Sequence, residues 1–255
     1  MPKIFLAACS HLKTPIVNSN TKPHYILESF MDLRGGTKAK DDYVKWCLTA
    51  DDFLLDSGAF AFMNKAKKVD NFSVQDINNY IKEYAEFINK YDIKNFFELD
   101  LDCMFPYEQI KRARRWLEKR THKKCIPVWH TSRGMDDFHE MCKEYHYIAI
   151  GGITNEIKQK DWGILWDLCD IAHQYGCIVH GLGFTPVKIL NEDNCPFDTC
   201  DGTTWQGVQH AYTYKLIDGK LYKEKDIEMA NHTKNWKPVA EECYVSWTNF
   251  SRLKG

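Results

Sequence analysis

The stretch Asn95–His130, "NFFELDLDCMFPYEQIKRARRWLEKRTHKKCIPVWH", reads as strand, helix, strand. Two short apolar runs, "NFFELDL" and "CIPVWH", flank a helical segment, and Pro106 sits where a first helical position belongs. A helix between two short buried runs is what parallel strands require, because their connection must cross over the sheet. The same alternation extends in both directions through "KIFLAA" from Lys3, "FLLDSG" from Phe53, "YIAIGGI" from Tyr147, "CIVHGLGF" from Cys177 and "PFDTCD" from Pro196. Among the intervening helices, "VQDINNYIKEYAEFINKY" is capped by Ser73 and puts Val74, Ile77, Tyr80, Ile81, Tyr84, Phe87 and Ile88 on one face. Pro186 marks another helix start. Seven strand candidates separated by helices predict an α/β chain of the (β/α)8 TIM-barrel class. A length of 255 residues with 44% hydrophobic content suits a single domain over 1–255. Its barrel core occupies about 1–210. Over 211–255, "YTYKLIDGKLYKEK" predicts a hairpin around Asp218-Gly219, and a Trp-rich tail is expected to pack on the barrel.

A formal net charge of −1 gives no global signature of nucleic acid or membrane, so such a partner needs a local patch. The ten cysteines form no CxxC pair and no His-bearing zinc spacing, which reads as reduced thiols packed as small apolar residues. "LAAC" at Leu6–Cys9 resembles a lipoprotein cleavage box, but the apolar run Ile4–Cys9 is too short for a signal core. A cytoplasmic protein with no membrane partner is expected.

In a barrel of this class, polar residues at strand C-terminal ends are the functional candidates. Here they are Asp56, Asp100, Asp102, His130, Gly151-Gly152, Gly181, Gly183, and Asp198 or Asp201. One aspartate can simply cap the following helix. Several carboxylates around one mouth instead suggest divalent-metal binding, or a nucleophile and acid pair acting on a glycosidic bond. With no HxH pair and no HExxH motif the metal reading is the weaker, and no metal or cofactor is expected.

These residues resemble the tRNA-guanine transglycosylases and their compact viral relatives that place 7-deazaguanines in DNA. The family motif Asp-Ser-Gly-Gly-Phe-Gln is similar to "DSGAFA" at Asp56–Ala61, and Asp-Glu-Cys-Thr-Pro-Tyr to "DCMFPY" at Asp102–Tyr107. Val-Gln resembles "VWH", with His130 standing for the glutamine. Ala-Ile-Gly-Gly-Leu resembles "IAIGGI" at Ile148–Ile153, and Met-Gly-Val-Gly-Thr-Pro resembles "HGLGFTP". Five motifs in order on successive strands carry more weight than any one of them. The family places its nucleophilic aspartate fifteen residues beyond the Thr-Pro proline, and Asp201 stands fifteen beyond Pro186. "DGTTW" at Asp201–Trp205 also resembles the viral Asp-Ser-Thr-Ser-Trp. Asp198, in a Phe-Asp pair like the family's, falls three short of that count and is the alternative, because one indel would switch the assignment. Residues three apart in a strand face opposite sides, so only one of the two can serve.

The resemblance implies base exchange through a covalent aspartyl–sugar intermediate. Asp201 would be the nucleophile, and Asp56 would move the proton at the base. Asp102 would bind the guanine-like edge, the Gly151–Gly152 backbone the base carbonyl, and Phe60 would stack on the ring. Ser57, Gly58 and His130 would complete the pocket. The tRNA enzymes carry a zinc subdomain whose cysteine cluster this chain lacks, which implies the compact viral type acting on DNA in a host cytoplasm, with tRNA as the alternative. The incoming base would be a 7-deazaguanine such as 7-cyano-7-deazaguanine. A barrel glycoside hydrolase and a non-catalytic nucleic-acid-binding barrel are the rival readings. Lys111–Lys124 holds eight Lys/Arg against one Glu, and "NKAKKVD" follows the Asp56 motif. Lys65, Lys67, Lys68, Arg112, Arg115 and Lys119 are therefore candidate phosphate-binding residues, with a solvated helix face as the other explanation for the basic run.

Overall fold

The computed structural model of the protein describes residues 1–59, 61–62, 74–102, 104–225 and 235–255. Eight strands form one sheet: β1 (Lys3–Ala7), β2 (Tyr25–Ser29), β3 (Asp52–Asp56), β4 (Asn95–Phe96), β5 (Val128–Trp129), β6 (Tyr147–Ile150), β7 (Ile178–Gly181) and β8 (Thr199–Gly202). The order is β4-β3-β2-β1-β8-β7-β6-β5, every pairing is parallel, and helices make the crossovers. The sheet curls: beyond the two end strands, Phe97 forms a parallel bridge with Ile126. There, Ile126 N–H donates to the Phe96 carbonyl (2.8 Å) and Glu98 N–H to the Ile126 carbonyl (3.0 Å).

Period-2 alternation sorts the strand residues into two apolar layers. Phe5, Ala7, Tyr25, Leu27, Leu54, Phe97, Ile126, Val128 and Ala149 pack together on the inner, concave side. Their neighbours Ile4, Ile26, Leu55, Phe96, Trp129, Ile148 and Cys200 join the larger outer cluster beneath the helices. The helix Val74–Lys90 contributes Tyr80, Ile81, Tyr84 and Ile88 to that layer, on the face its sequence spacing predicts. Pro106 and Pro186 stand one residue ahead of the first helical position, as the N-caps of Tyr107–Thr121 and Val187–Asn191.

The seven strand candidates of the sequence do not include β2, "YILES", whose fourth residue is Glu28. The carboxyl of Glu28 is fully buried in the outer layer, where Oε1 accepts from Tyr43 OH (2.7 Å) and Ser10 N–H (2.8 Å). Burial pushes its pKa up to about 7, against the relief of those two bonds. Because the folded pKa lies above the unfolded one, Glu28 costs stability as pH rises from about 4.5 to 7. Glu28→Gln should therefore gain on the wild type by roughly 3 kcal/mol between pH 4.5 and 8. Urea unfolding at both pH values measures this, and an equal difference at the two would refute it.

The chain beyond 210 forms the expected hairpin, β9 (Tyr212–Ile217) and β10 (Lys220–Lys225), with Asp218 and Gly219 both at positive φ as a type I′ turn demands. The Trp-rich tail is a helix, Trp236–Lys254. It buries Trp247 and Phe250 against the outer layer, and Ser251 Oγ donates to the Ile4 carbonyl (2.8 Å). Among the described residues no helix is long and apolar enough to cross a membrane.

Candidate active site

Alternation along β8 points Thr199 and Asp201 inward and leaves Asp198 and Cys200 outside. Asp201 is buried, and its Oδ1 accepts from Gly183 N–H (2.9 Å) and contacts His180 Nε2 (3.1 Å). Asp198 turns away to the helix side, where its Oδ2 meets His173 Nε2 (2.9 Å) and accepts from Val179 N–H (2.8 Å). The two aspartates thus stand on opposite faces, with only Asp201 on the concave one.

Asp56 ends β3 in phase with Leu54 and so also points inward. Its Oδ2 accepts from Gly58 N–H (3.0 Å). Its pKa rises to about 7, first through burial, then through the negative charge of Asp100, with a smaller push from Asp201 against the relief of the Gly58 bond. Three carboxylates therefore share one electrostatic site. Gly58, at φ 73°, makes the turn possible, because a Cβ there would lie 2.7 Å from Tyr80 OH and 2.9 Å from both Met31 Cβ and Ser29 Oγ. Ser57 is fully buried on the outer side, with Ala59 N–H donating to its Oγ (3.3 Å).

His130 continues the inward face of β5 beyond Val128 and lies between two acids. Its Nε2 is 3.1 Å from Asp100 Oδ2 and its Nδ1 is 2.9 Å from Glu156 Oε1. Burial alone would lower its pKa, but Asp100, Asp102 and Glu156 together raise it to about 9, so the imidazole is a cation at neutral pH. The paired glycines provide room for this arrangement. A Cβ on Gly151 would sit 2.8 Å from His130 Cε1, and one on Gly152, itself at φ 69°, 2.4 Å from the Glu156 carboxyl carbon.

Asp102 is engaged elsewhere. Its two oxygens accept from Arg133 Nε and NH2, each at 2.7 Å, while Arg133 NH1 donates to Glu98 Oε1 (2.8 Å). Asp100 is the carboxylate that reaches Asp56 and His130. The sequence reading placed both at one strand end, but the chain leaves the strand near Glu98 and breaks the alternation, so position alone does not say which faces the mouth. His180, Arg133 and Glu156 were also missed; period 2 counted back from Leu182 along β7 would have found His180.

Phe60, Lys65, Lys67 and Lys68 lie outside the described residues. Arg112, Arg115 and Lys119 are exposed on the helix Tyr107–Thr121 and make no ion pair with a described residue, whereas Arg114 turns inward, 3.6 Å from Glu98 Oε2. This helix runs away from the strand C-terminal ends, which puts Lys119 about 18 Å farther along its axis than Tyr107. If the face carries nucleic acid, Arg112→Glu with Arg115→Glu should weaken DNA binding more than Lys119→Glu, and reduce the salt slope by roughly one for each phosphate interaction removed. Titrations at several salt concentrations decide this, and an unchanged slope would return the helix to a solvated face.

Fold and site together define an α/β protein of eight parallel strands whose C-terminal ends carry Asp56, Asp100, His130 and Asp201 around one cup. No protein-family model matches the chain, and no curated protein does. Among solved structures 139 chains match. One of them, from Aquifex aeolicus VF5 and described as a "Structural study of Project ID", is 9% identical over 96% of this chain and 93% of its own, with a TM-score of 0.50. So low an identity speaks for the fold alone, and folds of this kind host many chemistries.

Proposed function

We propose that the protein is a base-exchange transglycosylase that replaces guanine in DNA with a 7-deazaguanine. The observation that carries this reading is the pair Asp201 and Asp56, both inward at the C-terminal ends of strands and near enough to interact electrically. In the proposed reaction an Asp201 carboxylate oxygen attacks C1′ of the nucleotide, and the bond from C1′ to the base nitrogen breaks with its electron pair on guanine. The Asp56 carboxyl supplies the proton that the departing base takes up. The incoming 7-deazaguanine then gives a proton to Asp56, its ring nitrogen attacks C1′, and Asp201 leaves as a carboxylate. Asp100, beside Asp56, offers an acceptor to the edge of the base, the place the resemblance gives to Asp102, and cationic His130 holds it by donating to Asp100 and to Glu156. We read the curled sheet as a (β/α)8 barrel closed through the Phe97–Ile126 bridge, and the protein as the compact viral type working in the cytoplasm. A base within a duplex must be flipped or locally opened to reach such a cup.

The test is exchange of radiolabelled guanine out of single-stranded DNA, duplex DNA and tRNA in the presence of a 7-deazaguanine. Exchange in DNA is the expected result. Exchange confined to tRNA would move the substrate to RNA. No exchange in any of the three would leave the hydrolase and binding-module readings.

A further inference from the structure

His180 is completely buried, yet it is polar and is held at both ring nitrogens. Its ring lies 6.1 Å from Phe5, 5.2 Å from Phe97 and 6.5 Å from Tyr147, centroid to centroid. Nδ1 is 2.7 Å from Thr199 Oγ1, Thr199 Oγ1 is 2.8 Å from Tyr147 OH, and Nε2 is 3.1 Å from Asp201 Oδ1. Nothing in the bare alternation of the sheet requires a histidine there; its inward neighbour on β6, Ala149, is apolar.

Proton bookkeeping along this chain has one solution for a neutral ring. A nucleophilic Asp201 is a carboxylate and can only accept, so His180 Nε2 must carry a hydrogen and donate. Nδ1 of that tautomer is an acceptor, and the Thr199 hydroxyl donates to it. Thr199 Oγ1 is then left to accept from Tyr147, whose phenol is held protonated because burial pushes its pKa up. Every hydrogen bond in the chain thus points towards Asp201. The chain ends on Oδ1, the oxygen that also accepts from Gly183 N–H at 2.9 Å. Oδ2 accepts no hydrogen bond from a described residue. One carboxylate oxygen is anchored, and the other remains for chemistry.

Resting on the transglycosylase reading, we propose that His180 is the positioning residue for Asp201, the last member of a Tyr147–Thr199–His180 chain that fixes the carboxylate so that Oδ2 is the attacking oxygen. A hydrogen bond to a charged acceptor of this kind corresponds to roughly ten- to a hundredfold in rate if it acts mainly on the transition state.

His180→Phe keeps an aromatic ring between Phe5, Phe97 and Tyr147 but removes the donor. It should lower kcat for guanine exchange roughly ten- to a hundredfold while leaving KM for DNA unchanged. His180→Gln, whose amide can donate from near the same place, should restore most of the loss. Thr199→Val, which frees the ring to flip, should lose activity in the same direction by a smaller factor, and it serves as the second variant if the phenylalanine one does not fold. In the wild type, 15N spectra of the His180 ring should show the Nε2–H tautomer. An Nδ1–H tautomer or a cationic ring, unimpaired exchange by His180→Phe, or a glutamine variant no better than the phenylalanine one would each overturn the inference while wild-type exchange still stood. Loss of exchange in the wild type itself would overturn the transglycosylase reading, and this inference with it.

Discussion

Asp201→Asn should abolish guanine exchange, by roughly ten-thousandfold or more, with the fold intact and DNA binding nearly unchanged. The fold is expected to survive because the asparagine carbonyl can still accept from Gly183 N–H and from His180 Nε2, the two bonds that Oδ1 makes now. Its amide nitrogen then takes the place of Oδ2, where no described residue donates a hydrogen bond that it would oppose. What disappears is the attacking electron pair. Asp198→Asn is the control, because it sits three residues away on the opposite face. That variant weakens the interactions with His173 and Val179 N–H, at a cost of about 1 kcal/mol of stability, and should change exchange only a few-fold. A covalent protein–DNA adduct trapped during turnover should form with the Asp198 variant and fail with the Asp201 variant. The reverse pattern would place the nucleophile on the helix side of β8, and exchange surviving in both variants would refute the covalent mechanism.

The contrast between these aspartates also marks how far sequence reading reaches. Period 2 alone puts residues three apart on opposite faces, and the neighbours of Asp201 on β8 settle which face is the concave one. Seven strands were legible from short apolar stretches at regular intervals; β2 was not, and its buried Glu28, satisfied by Tyr43 and Ser10, looks in sequence like a surface residue. The hairpin was legible from Asp218-Gly219, whose backbone conformation is local. Partnerships between distant elements were not. Nothing in "DLDCMF" tells that Arg133, thirty-one residues on from Asp102, will take both oxygens of that aspartate and leave Asp100 beside Asp56. The paired glycines gave a motif without a cause, since the side chains that fill the space above them are His130, from beyond β5, and Glu156, four residues on in the glycines' own loop.

Guanine release should fall as pH rises through about 7, and Asp56→Asn should remove both that limb and roughly a hundred- to ten-thousandfold of the rate. The sign follows from the direction of the shift. Burial and the charge of Asp100 raise the Asp56 pKa, so below about 7 the carboxyl holds the proton a departing guanine needs, and above it the proton is gone. Single-turnover formation of the covalent adduct isolates this step, because in the second half-reaction Asp56 must accept a proton and the dependence is inverted. Asp100→Asn removes the second-largest cause of the shift, so the limb should move to lower pH. His130, raised to about 9 by its acid neighbours, gives a separate fall at higher pH, and that one should persist in Asp56→Asn. If the limb near 7 also persists in Asp56→Asn, the proton comes from another group. If it stays in place in Asp100→Asn, the electrostatic coupling among the three carboxylates does not govern the chemistry of the cup.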